Sequence, residues 1–301
     1  MDCSEKPGND KERMLPLVSS FRVPLHLTAL GCSPHVMMQL PSPTPHLEAS
    51  IEGTIGWLLL NNPARRNALN AAMWAAIPGL VEALASKPQV RCIILRGAGA
   101  EAFAAGADIS EFAATRNDAA AAAAYEALNG AALMALRQAA KPVIAMIHGF
   151  CIGGGLAIAM ACDLRIADTT AVFSLPPARL GLAYPLESLH DLVSLVGPAV
   201  AKDLILTARR ISSVEAHRLG LIERLATDLS GETAALAAEM ANGAPLTQLH
   251  AKRAIDRVTR RPGHASAEEV AELAARCFNS ADYAEGRAAF LAKRKPVFTG
   301  K

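Results

Sequence analysis

Two short segments rich in small residues carry the clearest chemical signal in this sequence. They are residues 103–111, FAAGADISE, and residues 148–155, HGFCIGGG. Each segment places small residues at a turn that leads into a helix, where backbone N–H groups have no partner within the helix. Because glycine lacks a side chain, a ligand can approach such a turn closely. Two N–H donors that converge on one oxygen would form an oxyanion hole.

Other kinds of chemistry lack support. There is no G-x-S-x-G or H-E-x-x-H motif, which argues against a serine hydrolase and a zinc protease. The six cysteines include no C-x-x-C pair, so we expect reduced, mostly buried thiols, no metal site and a cytoplasmic location. A net charge of +2 and only 4% aromatic residues disfavour nucleic acid and anionic membranes as partners.

Strand and helix patterns alternate through the chain, which is typical of α/β layers. We expect strands at 55–60, 91–96, 142–147 and 163–167, and helices at 70–86, 118–139 and 153–162. The uncharged stretch 142–162 is long enough to span a membrane, but a strand, a glycine turn and a buried helix explain it better. After residue 186 the pattern becomes helical, with one strand near 222–225.

These patterns divide the chain into three parts. Residues 1–46 contain charges and scattered Pro and His without a secretory signal, which predicts a disordered N-terminal extension. Residues 47–205 form the predicted α/β core and residues 206–301 a helical C-terminal region.

The two small-residue turns, taken together with further motifs across residues 47–300, resemble the crotonase, or enoyl-CoA hydratase/isomerase, superfamily. The further motifs, in chain order, are NNP at 61–63, RNAL at 66–69, ACDLRIA at 161–167, FS at 173–174, LGL at 180–182, GLI at 220–222, EG at 285–286 and KRKP at 293–296.

This resemblance implies a spiral of ββα turns with a C-terminal helical trimerisation region. It implies a homotrimer or a dimer of trimers, and an acyl-CoA substrate that itself brings the coenzyme A, with no other cofactor. The N–H groups of Ala107 and Gly154 would hold the thioester oxygen and stabilise an enolate. The positions implied to contact coenzyme A are Arg65, Arg66, Ala68, Ala105, Asp108, Ile109 and Lys293.

The sequence departs from the family where hydratases carry two glutamates. Ala157 and Pro177 stand at those places, and neither can transfer a proton. Tyr184 and its surroundings are similar to the methylmalonyl-CoA decarboxylase branch, although the histidine that this branch carries at position 107 is replaced by Ala107.

Three functions therefore stay open. Decarboxylation is favoured, because loss of CO₂ generates the enolate without a base and leaves Tyr184 to orient the carboxylate or protonate the enolate. The alternative is an enoyl-CoA hydratase or isomerase that uses Glu187 as a relocated base. The third is a family member that binds acyl-CoA without catalysis.

Overall fold

Two β-sheets form the framework of the computed structural model, which describes residues 37–111 and 119–301. The larger sheet has, in order across it, β1 (Met38–Leu40), β2 (Leu47–Glu52), β3 (Ile55–Leu60), β4 (Cys92–Gly97), β6 (Val143–Ile147), β8 (Leu164–Asp168) and β11 (Arg224–Ala226). The smaller sheet has β10 (Ile211–Ser212), β9 (Val172–Ser174), β7 (Phe150–Ile152) and β5 (Ala102–Ala104). All pairs from β3 to β11 in the larger sheet are parallel.

The chain alternates between the two sheets as it winds. After β4, β6 and β8 in the larger sheet it adds β5, β7 and β9 to the smaller one. Helices then return it to the next turn. This arrangement confirms the expected spiral of ββα turns.

The described helices cover the sheets and extend beyond them. They are α1 (Ala71–Ala85), α2 (Ala119–Gln138), α3 (Gly154–Ala161), α4 (Pro177–Leu180), α5 (Leu186–Thr207), α6 (Ser213–Leu219), α7 (Leu229–Ala241), α8 (Pro245–Val258), α9 (Ala267–Phe278) and α10 (Ala281–Leu291). Helix α1 begins where expected, because the Asn70 side chain accepts from the Met73 N–H at 2.8 Å and caps the helix. The uncharged stretch 142–162 forms β6, β7 and α3, and no helix in 37–111 or 119–301 combines the length and apolarity of a membrane span.

Both faces of the larger sheet are covered, which explains its continuous apolar strands. In β4, Ile93 and Leu95 belong to the main core with α1, whereas Cys92 and Ile94 pack in a second cluster with Leu236 of α7. Burial raises the pKa of the Cys92 thiol to about 12, so this cysteine remains an inert core residue. The pleat thus separates the two cores by alternate residues.

Two predicted boundaries differ from the structure. Residues 1–36 of the predicted extension lie outside the described residues, but β1 belongs to the fold, because Met38 to Leu40 pair with Ile51 to Ala49. Helix α5 continues through residue 205. The strand expected near 222–225 is present as β11, and it returns the C-terminal region to the larger sheet by pairing with β8.

A buried ion cluster fixes α2 against its neighbours. Arg137 donates to Asp191 of α5 at 2.6 Å, and both side chains are almost fully buried. Arg261, which follows α8, donates to the other oxygen of Asp191 at 3.2 Å. One carboxylate thus joins three parts of the chain, and α2 reaches the site described next in a fixed position.

Candidate active site

The two small-residue turns meet in space and present two backbone donors side by side. The Leu69 N–H donates to the Gly106 carbonyl, and the Leu69 carbonyl accepts from the Asp108 N–H, each at 2.8 Å. The Ala107 N–H lies between these two hydrogen bonds and takes part in neither. No backbone oxygen of the described chain accepts from it. Gly154 begins α3, where an N–H has no acceptor within the helix. A Cβ built on Gly154 would lie 3.4 Å from the Ala107 nitrogen.

Glycine is required at this junction for conformational and steric reasons. Gly106 has φ +112° and Gly153 has φ +53°, both in the region that side chains disfavour. A Cβ on Gly106 would also lie 3.2 Å from the carbonyl oxygen of Ile152. Gly153 donates to Ser174 at 2.9 Å, which ties the turn to β9. The donors are therefore set by backbone geometry.

Ala107 and Gly154, which carry the two donors, line a mostly apolar cavity of about 360 Å³. Trp74 forms part of its wall, and its indole N–H donates to Tyr125 of α2 at 3.1 Å. The other lining residues are Ala105, Gly106, Ala107, Ile109, Glu126, Asn129, Leu133, Ile152, Gly153, Gly154, Ala157, Pro176, Pro177, Arg179, Leu180, Leu182, Ala183, Tyr184, Pro185 and Ser188. Such a cavity suits an apolar acyl group whose carbonyl meets the donors.

Ala157 and Pro177 both line this cavity. Ala157 is buried in α3, and Pro177 is the first residue of α4. The structure therefore brings to the cavity wall the two places where the resemblance expects glutamates. Neither side chain can accept or donate a proton there.

Tyr184 and Glu187 are placed differently. Tyr184 lines the cavity, and its hydroxyl is buried with no hydrogen-bond partner in the described chain. Burial, followed by the neighbouring charge of Asp191, raises the pKa of Tyr184 well above its ordinary value, so it remains a neutral phenol. Glu187 is exposed in the first turn of α5 and lines a second, adjacent cavity, but not the one that holds the donors.

Asp108 anchors the loop that the resemblance assigns to coenzyme A. Arg65 lies 3.1 Å from its carboxylate, and the Ser110 hydroxyl donates to it at 2.7 Å. Burial pushes the pKa of Asp108 upward, but the hydrogen bonds from Ser110 and the charge of Arg65 outweigh it and lower the pKa below its ordinary value. The carboxylate thus fixes the position of Arg65.

Arg66 joins the same loop to the first turn. Its carbonyl accepts from the Ala105 N–H at 2.9 Å, and its guanidinium lies 5.1 Å from the centre of the Phe150 ring. Ala68 is buried behind the loop, whereas Ile109 is exposed at the edge of the cavity. Lys293 follows α10, is exposed and does not line this cavity. The structure therefore groups all the predicted coenzyme-contact residues except Lys293 around the first turn.

Comparisons with known proteins decide the family. Residues 50–301 match the family model described as enoyl-CoA hydratase/isomerase. The chain belongs to the enoyl-CoA hydratase/isomerase family. It is 32% identical to the short-chain-enoyl-CoA hydratase of Clostridium acetobutylicum, over 81% of this chain and 94% of that protein. It is 34% identical to the crotonyl-CoA hydratase of Syntrophomonas wolfei, over 83% of this chain and 96% of that protein.

Solved structures of the enoyl-CoA hydratase/isomerase family agree with this assignment. An enoyl-CoA hydratase/carnitine racemase from Magnetospirillum magneticum has a TM-score of 0.81 at 38% identity, covering 86% of this chain and 97% of that one. A putative family protein from Hyphomonas neptunium has the same TM-score at 40% identity, covering 87% and 100%. The names of these relatives favour the hydratase alternative over the decarboxylase interpretation, and the narrower likeness to methylmalonyl-CoA decarboxylase gains no support.

One residue of the cavity wall, Glu126, was not predicted from the sequence. Glu126 lines the cavity from α2, together with Asn129 and Leu133. Their spacing of three and seven residues places them on one helix face, and the apolar Leu133 indicates that this face is buried. Glu126 by itself gave no such signal, because a glutamate in an alanine-rich helix usually faces solvent.

Among the described residues, no group of three or more His, Cys, Asp or Glu is arranged to hold a metal ion.

Proposed function

We propose that this chain hydrates short enoyl-CoA thioesters through an enolate held between the N–H groups of Ala107 and Gly154. The observation that carries this proposal is the pair of backbone donors in the wall of an apolar cavity. The hydratase names of relatives that align along most of their length support hydration over decarboxylation. Two of those names, short-chain and crotonyl, support a short acyl group.

The proposed chemistry begins at the thioester carbonyl. When its oxygen accepts from both N–H groups, the conjugated double bond is polarised and the β-carbon becomes electrophilic. Water then adds its oxygen to the β-carbon and loses one proton to a base, while the π electrons move to the thioester oxygen. The enolate collapses as one proton is delivered to the α-carbon, so that the two hydrogens of water end on the new hydroxyl and on the α-carbon. Removing one donor of this kind costs about 3–4 kcal/mol of barrier stabilisation.

We assign coenzyme A to the loop around Arg65 and Arg66. Both guanidinium groups are about half exposed beside the first turn, so they can meet phosphate groups of the coenzyme. Ala68, Ala105, Asp108 and Ile109 shape or anchor that loop and turn. Contact by Lys293, the trimeric or hexameric assembly and the cytoplasmic location stay predictions from the sequence.

The decisive variant is Gly154→Ala. The added methyl would lie 3.1 Å from Trp74 and 3.4 Å from the Ala107 nitrogen, so it should crowd a thioester oxygen bound by the two N–H groups. Hydration of crotonyl-CoA should fall about 10²- to 10³-fold, while free coenzyme A, which has no thioester, should bind as before. Gly79→Ala is the matched control, because its added methyl in α1 meets nothing within 4 Å among the described residues beyond its own stretch of helix.

Three outcomes would contradict this function. Unchanged hydration in Gly154→Ala would mean that the donors do not act together. Turnover of malonyl-type esters with none of crotonyl-CoA would restore the decarboxylase interpretation. Tight acyl-CoA binding with no turnover of either ester would identify a family member that binds without catalysis.

A further inference from the structure

The cavity wall contains one carboxylate among its described residues. Of the side chains that line it, only Glu126 is an Asp or Glu, and the other charged one is Arg179. Helices α3 and α4, which contain Ala157 and Pro177, have no Asp or Glu. Hydration still needs a group that takes a proton from water. Glu126 of α2 is the carboxylate that this cavity offers for that role.

Helix α2 holds Glu126 in a fixed place. The residue before it, Tyr125, is buried and accepts from the Trp74 indole at 3.1 Å. Trp74 in turn packs beside Gly154, where its ring lies 3.1 Å from the site of an added Cβ. At the other end of α2, Arg137 is locked to Asp191. The hydrogen bond between Trp74, which packs beside Gly154, and Tyr125, which precedes Glu126, thus links the position of Glu126 to that of the donors.

Glu126 shares the cavity wall with three other polar side chains. Asn129 Oδ1, the Tyr184 hydroxyl and the Ser188 hydroxyl are buried, and none has a hydrogen-bond partner in the described chain. Each buried polar atom left without a partner costs about 1–3 kcal/mol. These three residues and Glu126 line both the main cavity and the adjacent one, so they form the partition between them. A water or hydroxyl group that reaches this partition meets several hydrogen-bonding atoms.

Glu187 is less well placed for proton transfer. It is exposed, and it lines only the adjacent cavity, beyond the partition. Glu126 lines the same cavity as Ala107 and Gly154. A general base must reach the same substrate whose carbonyl occupies the oxyanion hole.

We propose that Glu126 is the general acid–base group of this site and that Asn129, Tyr184 and Ser188 bind the water or hydroxyl on which it acts. This proposal rests on the proposed function. The Glu126 carboxylate takes a proton from water as the water oxygen bonds to the β-carbon and the π electrons move to the thioester oxygen. The carboxylic acid so formed returns its proton to the α-carbon when the enolate collapses. One carboxylate therefore balances the whole addition, without a second acid.

The test compares three Glu→Gln variants, each of which keeps size and removes charge. Glu126→Gln should lower kcat for crotonyl-CoA about 10²- to 10⁴-fold and leave the affinity for coenzyme A unchanged. It should also remove the acidic limb of the pH profile of kcat/KM, which a purely structural role would not do. Glu239→Gln is the matched control, because Glu239 is an exposed glutamate of α7. Glu187→Gln tests the competing position and should remain near the wild-type rate.

Deuterium exchange at the α-carbon of butyryl-CoA separates this proposal from the function on which it rests. Exchange needs a base and the oxyanion hole, but no water addition. Wild-type exchange that is lost in Glu126→Gln would support the assignment. Wild-type hydration or exchange that survives Glu126→Gln, or is lost only in Glu187→Gln, would overturn it and leave the proposed function standing. A wild-type protein without exchange or hydration would overturn both.

Discussion

The polar groups of the cavity wall come from two different parts of the chain, which we call its backbone end and its side-chain end. In the backbone end, the polar atoms are the nitrogens of Ala107 and Gly154, fixed by glycine turns between the two sheets. In the side-chain end, they belong to side chains of α2 and of the segment that enters α5, among them Glu126 and Tyr184. A backbone N–H remains when a side chain is replaced, whereas a side-chain proton carrier is lost. The chain can therefore keep the paired N–H groups of the proposed oxyanion hole while Ala157 and Pro177 occupy the glutamate positions.

The largest expected effect tests how firmly the side-chain end is held. Arg137→Met should lower the free energy of unfolding by about 3 kcal/mol, because the buried Asp191 would lose its buried partner and keep only the partly exposed Arg261. Urea unfolding followed by circular dichroism measures this change. The double variant that adds Asp191→Leu should recover part of the loss, since the buried carboxylate that lost a partner is gone and Arg261 still pairs with Asp256. A loss below about 1 kcal/mol in the single variant would mean that the pair does not anchor α2.

The next effect tests the backbone end. Gly155→Ala should cost about 3 kcal/mol, because the new methyl would meet the carbonyl of Ala104 and lie 2.7 Å from the Ala104 side chain. Gly130→Ala in α2 is the matched control. Within the described ranges its added methyl meets nothing within 4 Å beyond the surrounding helix backbone, so better helix propensity should raise stability by up to about 1 kcal/mol. Equal unfolding midpoints for the two variants would contradict the close packing of α3 on β5.

The smallest effect returns to the side-chain end. Tyr184→Phe removes a buried hydroxyl without a partner, so its stability at neutral pH should equal or slightly exceed that of the wild type. Burial raises the pKa of Tyr184 in the folded state, so folding favours the neutral phenol. The stability of the wild type is therefore unaffected by this group below the unfolded-state pKa, about 10, and falls as the pH rises above that value. The urea midpoint should therefore fall less steeply above pH 10 in the variant. Parallel pH curves would contradict the burial of this phenol.

The backbone end could be predicted from sequence because its signals are local. The glycines at 106 and 153–155 mark turns, and the apolar runs beside them mark buried strands, so the order of elements and the paired donors follow from short segments. The start of α1 followed likewise from Asn70 alone. Boundaries set by distant pairing were less accessible. Residues 38–40 carry no strong strand pattern, yet they pair with β2.

The α/β class, the glycine turns beside Ala107 and Gly154, and the absence of glutamate at positions 157 and 177 could all be read from the amino-acid sequence. Which polar side chains share the cavity with those two N–H groups depends on tertiary packing. Glu126 lies in the helix between the two turns, but the sequence does not show which way its side chain faces, and Glu187 looks equally suitable in one dimension. A backbone donor is created by local conformation, whereas the surroundings of a side chain depend on how whole elements pack together. In this protein, the Tyr125–Trp74 contact and the Arg137–Asp191 pair bring α2 to the cavity and leave Glu187 outside it.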